Sequence, residues 1–540
     1  MGHTSFQFDR RTFLRGGLLT AGALALGPAY YERAFAAGPV TVGPGPYGPP
    51  GPFDANGIAL PKGFTSREIA RGGMPVAGSA VPYTYHNGTD GQATFPTLAA
   101  DGKPDGGWIL VANSEVPVPG GGGVSGIEFA PDGQVERAYR VLVGTTSNCA
   151  GGPTPWGTWL SCEEYDGGRV WECDPTGATP GIPRPALGFF NHEAVSVDPV
   201  NERLYLTEDK GDGCFYRFTP TDYPDLSAGL LEVALVDRAG VVTWARVPDP
   251  TGGGGPVNPT RSQVPGAAKF KGGEGTWYDD GIVYFTTKGD NRVYAFHIGP
   301  SRMDILYDKN AIMPEPPLSG VDNITVSPSG DIYVCEDGGD LDICLITSKF
   351  EISRFLKLDP KIHAGPPEPN PLKGNETVGV VFNPAGDRMY FGAQRSFAVG
   401  SDQTPAGVVY EVRGPFRKRP SAASFEARLN AQKRIRIPKY LRRGLPIRVS
   451  LDEPAGLVAT LRVSVRGSGG KRRTVKIGAG KTNVAVRGRA ALAVKPTKRG
   501  RKVLRGRKSA KGKLTVIATS GSGRRTVLHR QVVLFKPRRG

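Results

Sequence analysis

A hairpin that recurs along the chain is the feature that most restricts its fold. Each unit has a strand, a turn rich in Gly, Pro or Asp, and a second strand that contains Tyr. Four units are clear, at residues 192–209, 274–290, 322–337 and 376–395. Repeated short hairpins of this kind are typical of the inner part of a propeller blade. The sequence therefore predicts an all-β fold whose main body is a β-propeller.

Acidic and amide side chains recur at the ends of these strands. The start of the first strand and the end of the second lie at the same edge of an antiparallel hairpin, so we expect the side chains to meet at one channel mouth. The residues that we expect to share this edge are Glu193 with Glu208 and Asp209, Glu274 with Asp290, and Asp322 and Asn323 with Glu336 and Asp337. Carboxylates packed this closely repel one another unless a cation lies among them, which favours a metal site. The alternative is a set of solvated turn acids.

The segment TPWGTWLSCEE, residues 154–164, places a thiol beside two carboxylates. Cys162 is the candidate thiolate ligand, and Glu163 and Glu164 are candidate carboxylate ligands, because a thiolate binds iron while carboxylates suit calcium. In a regular strand Glu164 would point to the same side as Cys162, and Glu163 to the other. The alternative is a buried cysteine followed by two solvated acids.

Charge divides the chain into two parts. Residues 417–540 hold 36 Lys+Arg and 3 Asp+Glu, a net +33, whereas the rest holds 32 and 47, a net −15. Six or seven short alternating strands in the basic part predict an immunoglobulin-like β-sandwich. Such a domain would bind anionic wall polymers or lipids, or serve only as a solubilising surface. Few aromatic residues and no recognition-helix pattern argue against nucleic acid.

The N-terminus has the features of an export signal. Residues 9–15, DRRTFLR, precede an apolar run from Leu18 to Tyr30, and Ala34-Phe35-Ala36 is a small-x-small cleavage site. This pattern predicts a twin-arginine signal peptide over residues 1–36 and a secreted or cell-surface protein. A Pro/Gly-rich lead-in over residues 37–59, a propeller over 60–416 and a basic domain over 417–540 complete the predicted organisation.

Six cysteines lie in the acidic part of the chain, and none has CxxC spacing, so a structural zinc site is not expected. Export would permit disulfides, and their pairing is open among 15 possibilities. Cys335 and Cys344 are close enough in sequence to bridge across a hairpin.

The segment TPWGTWLSCEE, together with Asn191-His192-Glu193-Ala194-Val195 and Asp322-Asn323 ahead of Cys335-Glu336-Asp337-Gly338, resembles the PhoX family of alkaline phosphatases over about residues 60–412. The resemblance implies a propeller phosphatase that holds Fe3+ and Ca2+ ions in its mouth. The implied metal ligands are Cys162, Glu193, Glu274, Glu336, Asp322 and Asn323, with Glu115 from an Asn-x-Glu motif. Where family members often have Gln-His-Pro-Gly, this chain has Gln394-Arg395-Ser396, which affects the expected substrate more than the metal cluster.

The function expected from these features is hydrolysis of phosphate monoesters by a secreted, monomeric enzyme that does not bind nucleic acid. Arg395 and Lys288 end strands at the same face and are the candidate catalytic cations for phosphate oxygens. His192 would either orient a carboxylate or be a buried structural histidine. The alternatives are a non-catalytic calcium-stabilised propeller that binds the cell surface, and another propeller hydrolase such as a lactonase or a phosphodiesterase.

Overall fold

The computed structural model describes residues 40–99, 103–252, 258–363, 374–397, 406–418, 427–451, 455–466, 472–484, 488–520 and 525–536. The predicted signal peptide, residues 1–36, lies outside these ranges. None of the described helices is both long and apolar enough to cross a membrane.

Strands dominate residues 40–413, and they form six separate sheets. Three strands precede the first complete blade: β1 Thr41–Val42, β2 Ile58–Ala59 and β3 Thr65–Arg71. Blade 1 contains β4 Thr89–Leu98, β5 Pro104–Ser114, β6 Gly122–Phe129 and β7 Val135–Thr145. Blade 2 contains β8 Asn148–Pro153, β9 Trp159–Glu163, β10 Val170–Cys173 and β11 Ile182–Pro183. Blade 3 contains β12 His192–Asp198, β13 Arg203–Glu208, β14 Phe215–Asp222, β15 Asp225–Val236 and β16 Val242–Arg246.

The remaining three blades follow in chain order. Blade 4 contains β17 Gly273–Asp279, β18 Ile282–Thr287, β19 Arg292–His297 and β20 Arg302–Asp308. Blade 5 contains β21 Val321–Val326, β22 Ile332–Glu336, β23 Asp342–Ile346 and β24 Glu351–Leu358. Blade 6 contains β25 Thr377–Phe382, β26 Arg388–Ala393 and β27 Val408–Arg413. Short 3-10 turns lie at Pro185–Leu187, Thr260–Ser262, Lys288–Asp290 and Lys309–Ala311.

The first strands of the six blades form a closed ring. Each of β4, β8, β12, β17, β21 and β25 contacts the next, and β25 contacts β4. The N-terminal strand β3 closes the ring because it pairs with β27 as the outer strand of blade 6. The predicted lead-in also joins the propeller, since β1 and β2 both pair with β24 of blade 5. The predicted β-propeller is therefore confirmed, and it has six blades.

Apolar side chains from neighbouring blades interdigitate to form the core of the propeller. Six clusters of buried side chains lie between successive blades, one at each of the six blade interfaces. Both faces of each blade are thus covered, and the alternation of buried and exposed residues that marks a half-exposed sheet is lost in strands such as β9.

The basic C-terminal part is a single curled sheet of eight strands in the order β28-β30-β33-β32-β31-β34-β35-β29. The strands and the two short helices are β28 Ala427–Ala431, β29 Arg434–Arg436, α1 Ile437–Arg443, β30 Leu445–Leu451, β31 Ala455–Arg466, β32 Arg472–Val484, β33 Gly488–Pro496, α2 Lys498–Leu504, β34 Ser509–Ser520 and β35 Arg525–Phe535. The sheet curls around one apolar core of its own. The strand content and the apolar core agree with the predicted β-sandwich. A sandwich has two sheets, however, whereas these strands belong to one sheet.

All six cysteines are buried free thiols. Cys335 lies opposite Ile343 in the β22–β23 ladder, and Cys344 lies opposite Val334. The two side chains therefore point to opposite faces of blade 5, into different apolar clusters. The suggested bridge between them is not formed.

Candidate metal centre

Each inner strand of the propeller is irregular near its beginning. The ladder with the second strand loses register between Thr89 and Gln92, Asn148 and Gly151, His192 and Val195, Gly273 and Thr276, and Val321 and Ile324. Such β-bulges re-aim a side chain and are frequent next to functional sites. The first of the two unpaired residues in blades 1 to 5 is Asp90, Cys149, Glu193, Glu274 and Asp322, respectively. Five ligand-type side chains thus occupy one structural position, and we call them the lower ring.

Blade 6 differs from the other five. Its register shift falls one residue later, between Val378 and Val381, and includes Gly379. Gly379 has a positive φ of 61°, and a Cβ there would lie 2.6 Å from the carbonyl oxygen of Asp90. Its backbone N–H donates to Asn323 Oδ1 at 2.6 Å. The amide oxygen of Asn323, predicted as a ligand, is therefore already bound to the backbone.

A second layer of polar residues follows the second strand of each blade. In all six blades the first residue after this strand donates its backbone N–H to the residue that precedes the inner strand, over 2.7–3.2 Å. These residues are Glu115, Glu164, Asp209, Lys288, Asp337 and Gln394, which we call the upper ring. The hairpin geometry that the repeats predicted thus recurs in every blade.

The two rings meet in three groups of possible metal ligands. One group is Asp90, Glu115 and Cys149, the next is Cys149, Glu164 and Glu193, and the third is Glu193, Glu274 and Asp322. The ligand atoms within each group lie within 4.8 Å of one another. Because Cys149 and Glu193 each belong to two groups, the three groups form one continuous arc around the channel.

Negative charge at the mouth greatly exceeds positive charge. The nine carboxylates are Asp90, Glu115, Glu164, Glu193, Asp209, Glu274, Asp322, Asp337 and Glu376. Only two cations lie among them in the described residues. Lys288 Nζ contacts Glu274 and Asp337 at 3.0 Å and Asp209 at 3.5 Å. Arg395 contacts Glu376 at 2.6 Å and Glu115 at 3.5 Å.

Burial of this uncompensated charge shifts the titration of the site. It raises the pKa of Asp90 to about 7, with a further contribution from Glu115. Burial, and then the neighbouring carboxylates, hold the pKa values of Glu193 and Asp322 well above the usual range. The pKa of the Cys149 thiol is raised by burial and then by Asp90. Protein groups alone therefore do not stabilise the ionised cluster.

The residues present fit metal ions. The buried atoms Glu193 Oε2 and Asp90 Oδ1 have no hydrogen-bond partner among the described residues, although buried carboxylate oxygens are normally satisfied. The donor set combines many carboxylates, which suit hard cations such as calcium, with one thiol, which suits a transition metal such as iron. Bound cations would supply the partners and the charge that the cluster lacks.

The structure places Cys162 away from this cluster, so its predicted ligand role needs correction. Leu160 and Cys162 point into the apolar cluster between blades 2 and 3. Trp159 and Ser161, on the other side of β9, face blade 1. The cluster thiol is that of Cys149, which lies on the neighbouring inner strand.

The TPWGTWLSCEE segment instead supports Cys149 through Asn113. The Asn113 amide donates to the carbonyl oxygens of Cys149 at 3.0 Å and Ala150 at 2.7 Å. Its own oxygen accepts hydrogen bonds from Trp159 Nε1 and Ser161 Oγ, both at 2.9 Å. The motif thus holds Asn113, and Asn113 in turn holds the backbone at Cys149 and Ala150.

In blades 2 and 5 two consecutive acids lie at the end of the second strand. One acid of each pair has a structural role, and the other faces the channel. Glu163 ends β9 and accepts backbone hydrogen bonds from Thr146 and Arg169, while Glu164 joins the cluster. In blade 5, Glu336 accepts from the backbone of Ser319 at 2.6 Å and Asp342 at 2.9 Å. Glu163 and Glu336 are therefore loop anchors, contrary to their predicted ligand roles.

His192 is a buried structural histidine, the second of the two predicted alternatives. Its Nε2 lies 2.9 Å from the Gly188 carbonyl oxygen, and its ring packs against Phe190. Burial lowers its pKa to about 3, so the ring is neutral. It takes no part in the acidic cluster.

Three residues of the mouth escaped the sequence reasoning: Asp90, Cys149 and Glu376. Asp209 lies at the mouth as predicted, whereas Glu208 accepts hydrogen bonds from Tyr216 and Arg261, and Asp290 accepts from Thr287 and Arg292. Gln394 stood out in the sequence only as part of the departure from Gln-His-Pro-Gly. Gln394 Nε2 donates to Asp90 at 2.5 Å and Glu115 at 2.6 Å. The sequence does contain a signal for the missed lower-ring residues. Near its start, each inner strand of blades 1 to 4 has a possible metal ligand that is followed by a small residue. Asp90-Gly91 and Cys149-Ala150 repeat the pattern of Glu193-Ala194 and Glu274-Gly275.

Sequence comparison connects this site to a family. The family described as alkaline phosphatase PhoX matches residues 127–169 and 165–308, about a third of the chain. Over these residues the chain is similar to the PhoX family. The matched region contains blades 2 to 4 and, with them, Cys149, Glu164, Glu193 and Glu274 of the cluster. No curated protein matches the sequence significantly.

Similar solved structures are distant. A Xanthomonas campestris gluconolactonase is 15% identical with a TM-score of 0.34, over 69% of this chain and 99% of its own. A Bacteroides thetaiotaomicron protein of unknown function is 11% identical with a TM-score of 0.37, over 65% and 76%. The extracellular domain of a two-component system from the same organism is 9% identical with a TM-score of 0.31, over 84% and 56%. At these values the similarity says nothing about activity.

Proposed function

We propose that this protein is a member of the PhoX family and hydrolyses phosphate monoesters at a metal cluster in the propeller mouth. The observation that carries the proposal is the arc of Asp90, Glu115, Cys149, Glu164, Glu193, Glu274 and Asp322. Four of these residues, Cys149, Glu164, Glu193 and Glu274, lie in the region that matches the phosphatase family. We propose iron near the Cys149 thiolate and calcium among the carboxylates. Bound cations of this kind act as Lewis acids and neutralise charge that develops on a phosphoryl group.

The residues of the chain have distinct roles in this proposal. Lys288 and Arg395 are the cations of the mouth, and their side chains are 37% and 32% exposed, whereas Glu274 and Glu376 are nearly buried. They are therefore placed to contact the oxygens of an entering phosphate dianion. In the protein without bound cations, the carboxylates of Glu274, Asp209 and Asp337 raise the pKa of Lys288. Gln394 fixes Asp90 and Glu115 relative to each other by donating to both.

The test is a metal analysis combined with an assay on para-nitrophenyl phosphate. We expect the purified protein to contain iron and calcium, to hydrolyse the ester at alkaline pH, to lose activity on chelation and to regain it when both metals return. Bound calcium without turnover would favour the non-catalytic propeller. Faster turnover of bis-para-nitrophenyl phosphate or of a lactone would favour a different hydrolase.

Export by the twin-arginine pathway is also part of the proposal. It rests on residues 9–15 and the apolar run behind them. Replacing Arg10 and Arg11 by Lys should leave the precursor in the cytoplasm, as judged by fractionation. Unchanged export of this variant would contradict the assignment.

A further inference from the structure

The basic sheet carries a row of cations that is separate from the metal centre. Arg462 on β31 lies directly opposite Lys476 on β32 and Lys513 on β34. All three residues are exposed, while Leu461 and Leu514 beside them point into the core. Neighbouring strands lie about 4.8 Å apart, so three positive charges stand side by side. We call Lys476, Arg462 and Lys513 the basic row.

No acid offsets the basic row. Residues 455–540 contain no Asp or Glu, and among the described residues no carboxylate pairs with the three side chains. Like charges directly opposite one another destabilise a sheet. By contrast, Lys481 on the same face, opposite Val458, does contact a carboxylate. Its Nζ lies 2.6 Å from Glu202 of the propeller.

The residues around the basic row indicate which kind of partner it would bind. Hydroxyl residues flank it in the ladder, where Thr460 lies opposite Thr515 and Ser464 lies opposite Thr474. Hydroxyls and cations together donate hydrogen bonds to phosphate oxygens. Aromatic side chains, which stack nucleic acid bases, are absent from the described part of strands β31, β32 and β34.

We propose that the basic row of the C-terminal sheet binds a linear polymer of repeating phosphates that carries no bases. The row runs across the strands, so that successive phosphates of an extended polymer would meet successive cations. Binding releases counterions and is therefore sensitive to salt. The inference goes beyond the proposed phosphatase activity and does not depend on it.

The experiment measures binding of the full chain to long-chain inorganic polyphosphate at several salt concentrations. The test variant is K476Q/R462Q/K513Q, and the matched control is K498Q/R499Q/K502Q, which removes three exposed cations of α2. We expect the test variant to bind at least tenfold more weakly, with a log–log salt slope smaller by about 3. The control should bind nearly as the parent does.

Three outcomes would overturn the inference. Equal weakening in both variants would show that total charge, and not the row, determines binding. Equal or tighter binding of single-stranded DNA, of polygalacturonate or of anionic lipid vesicles would assign the face to another partner. Absence of polyphosphate binding at physiological salt would reject the site. Hydrolysis of para-nitrophenyl phosphate, measured in parallel, should be the same in both variants, which separates this test from that of the proposed function.

Discussion

Replacement of Asn113 by alanine tests how the propeller holds the cluster thiol. Asn113 is fully buried and makes four hydrogen bonds, two to carbonyl oxygens on the Cys149 strand and two from Trp159 and Ser161. Ser161 Oγ keeps a second partner, Asn148 Nδ2 at 2.9 Å. Asn113→Ala thus leaves one indole N–H and two carbonyl oxygens without this partner. An unsatisfied buried group costs about 1–3 kcal/mol, and we expect a loss of about 3–4 kcal/mol in the free energy of unfolding.

Stability alone would not distinguish support of Cys149 from a general packing role. The informative measurement is therefore alkylation of Cys149 by iodoacetamide in metal-depleted protein, followed by mass spectrometry. We expect at least a tenfold faster reaction in Asn113→Ala, while Cys162 stays protected in its apolar cluster. The matched control is Trp159→Phe, which removes one hydrogen bond to Asn113 Oδ1 and part of a buried ring; it should lower stability while both hydrogen bonds from Asn113 to the Cys149 strand remain. Lower stability of Asn113→Ala with unchanged Cys149 reactivity and metal content would refute the reasoning.

Two further predictions concern the acids of the mouth. Glu164→Gln should lower the metal content measured by elemental analysis, because Glu164 faces the cluster. Glu163→Gln should keep the metals and lower the melting temperature, because Glu163 binds backbone N–H groups instead. Equal metal loss in both variants would contradict this division. Metal-depleted protein should lose stability in urea titrations as pH rises from about 4 to about 7. The pKa of Asp90 is raised from 3.8 to about 7, so the folded state binds the proton more tightly than the unfolded state does. Protonated Asp90 therefore contributes ~4 kcal/mol to the free energy of unfolding at low pH, and this contribution is lost across the window. The metal-loaded protein should not show this loss, and a stability that rises with pH in the metal-depleted form would contradict the assignment.

The repeated hairpins were sufficient to predict the propeller and part of the site. Glu193, Glu274 and Asp322 were recognised because each opens a clear strand–turn–strand unit, and antiparallel pairing brings the two ends of the unit to one edge. Blades 1 and 2 are less regular in sequence, and so Asp90 and Cys149 were missed. Closure of the ring by β3 was also beyond the sequence, because it pairs residues more than 300 positions apart.

The error at Cys162 has a physical origin. Every residue of β9 is buried, because both faces of the blade are covered, so the sequence pattern does not tell the channel from the core. Glu164 faces the channel and Glu163 does not, as expected. Glu164 does not share the side of Cys162, however, because β9 ends at Glu163 and the alternation of a regular strand does not continue past it. Blade 5 shows the same difficulty. Glu336 is the last residue of β22 and anchors a loop, whereas the next residue, Asp337, faces Lys288.

The central claim is that Cys149, and not Cys162, supplies the thiolate of a metal cluster in the propeller mouth. Elemental analysis and visible absorption spectra of the parent, Cys149→Ser and Cys162→Ser proteins test it directly. We expect a thiolate-to-iron absorption band and bound iron in the parent and in Cys162→Ser, and loss of both in Cys149→Ser. Loss of the band in Cys162→Ser with its retention in Cys149→Ser would contradict the assignment, as would the absence of bound metal in all three proteins.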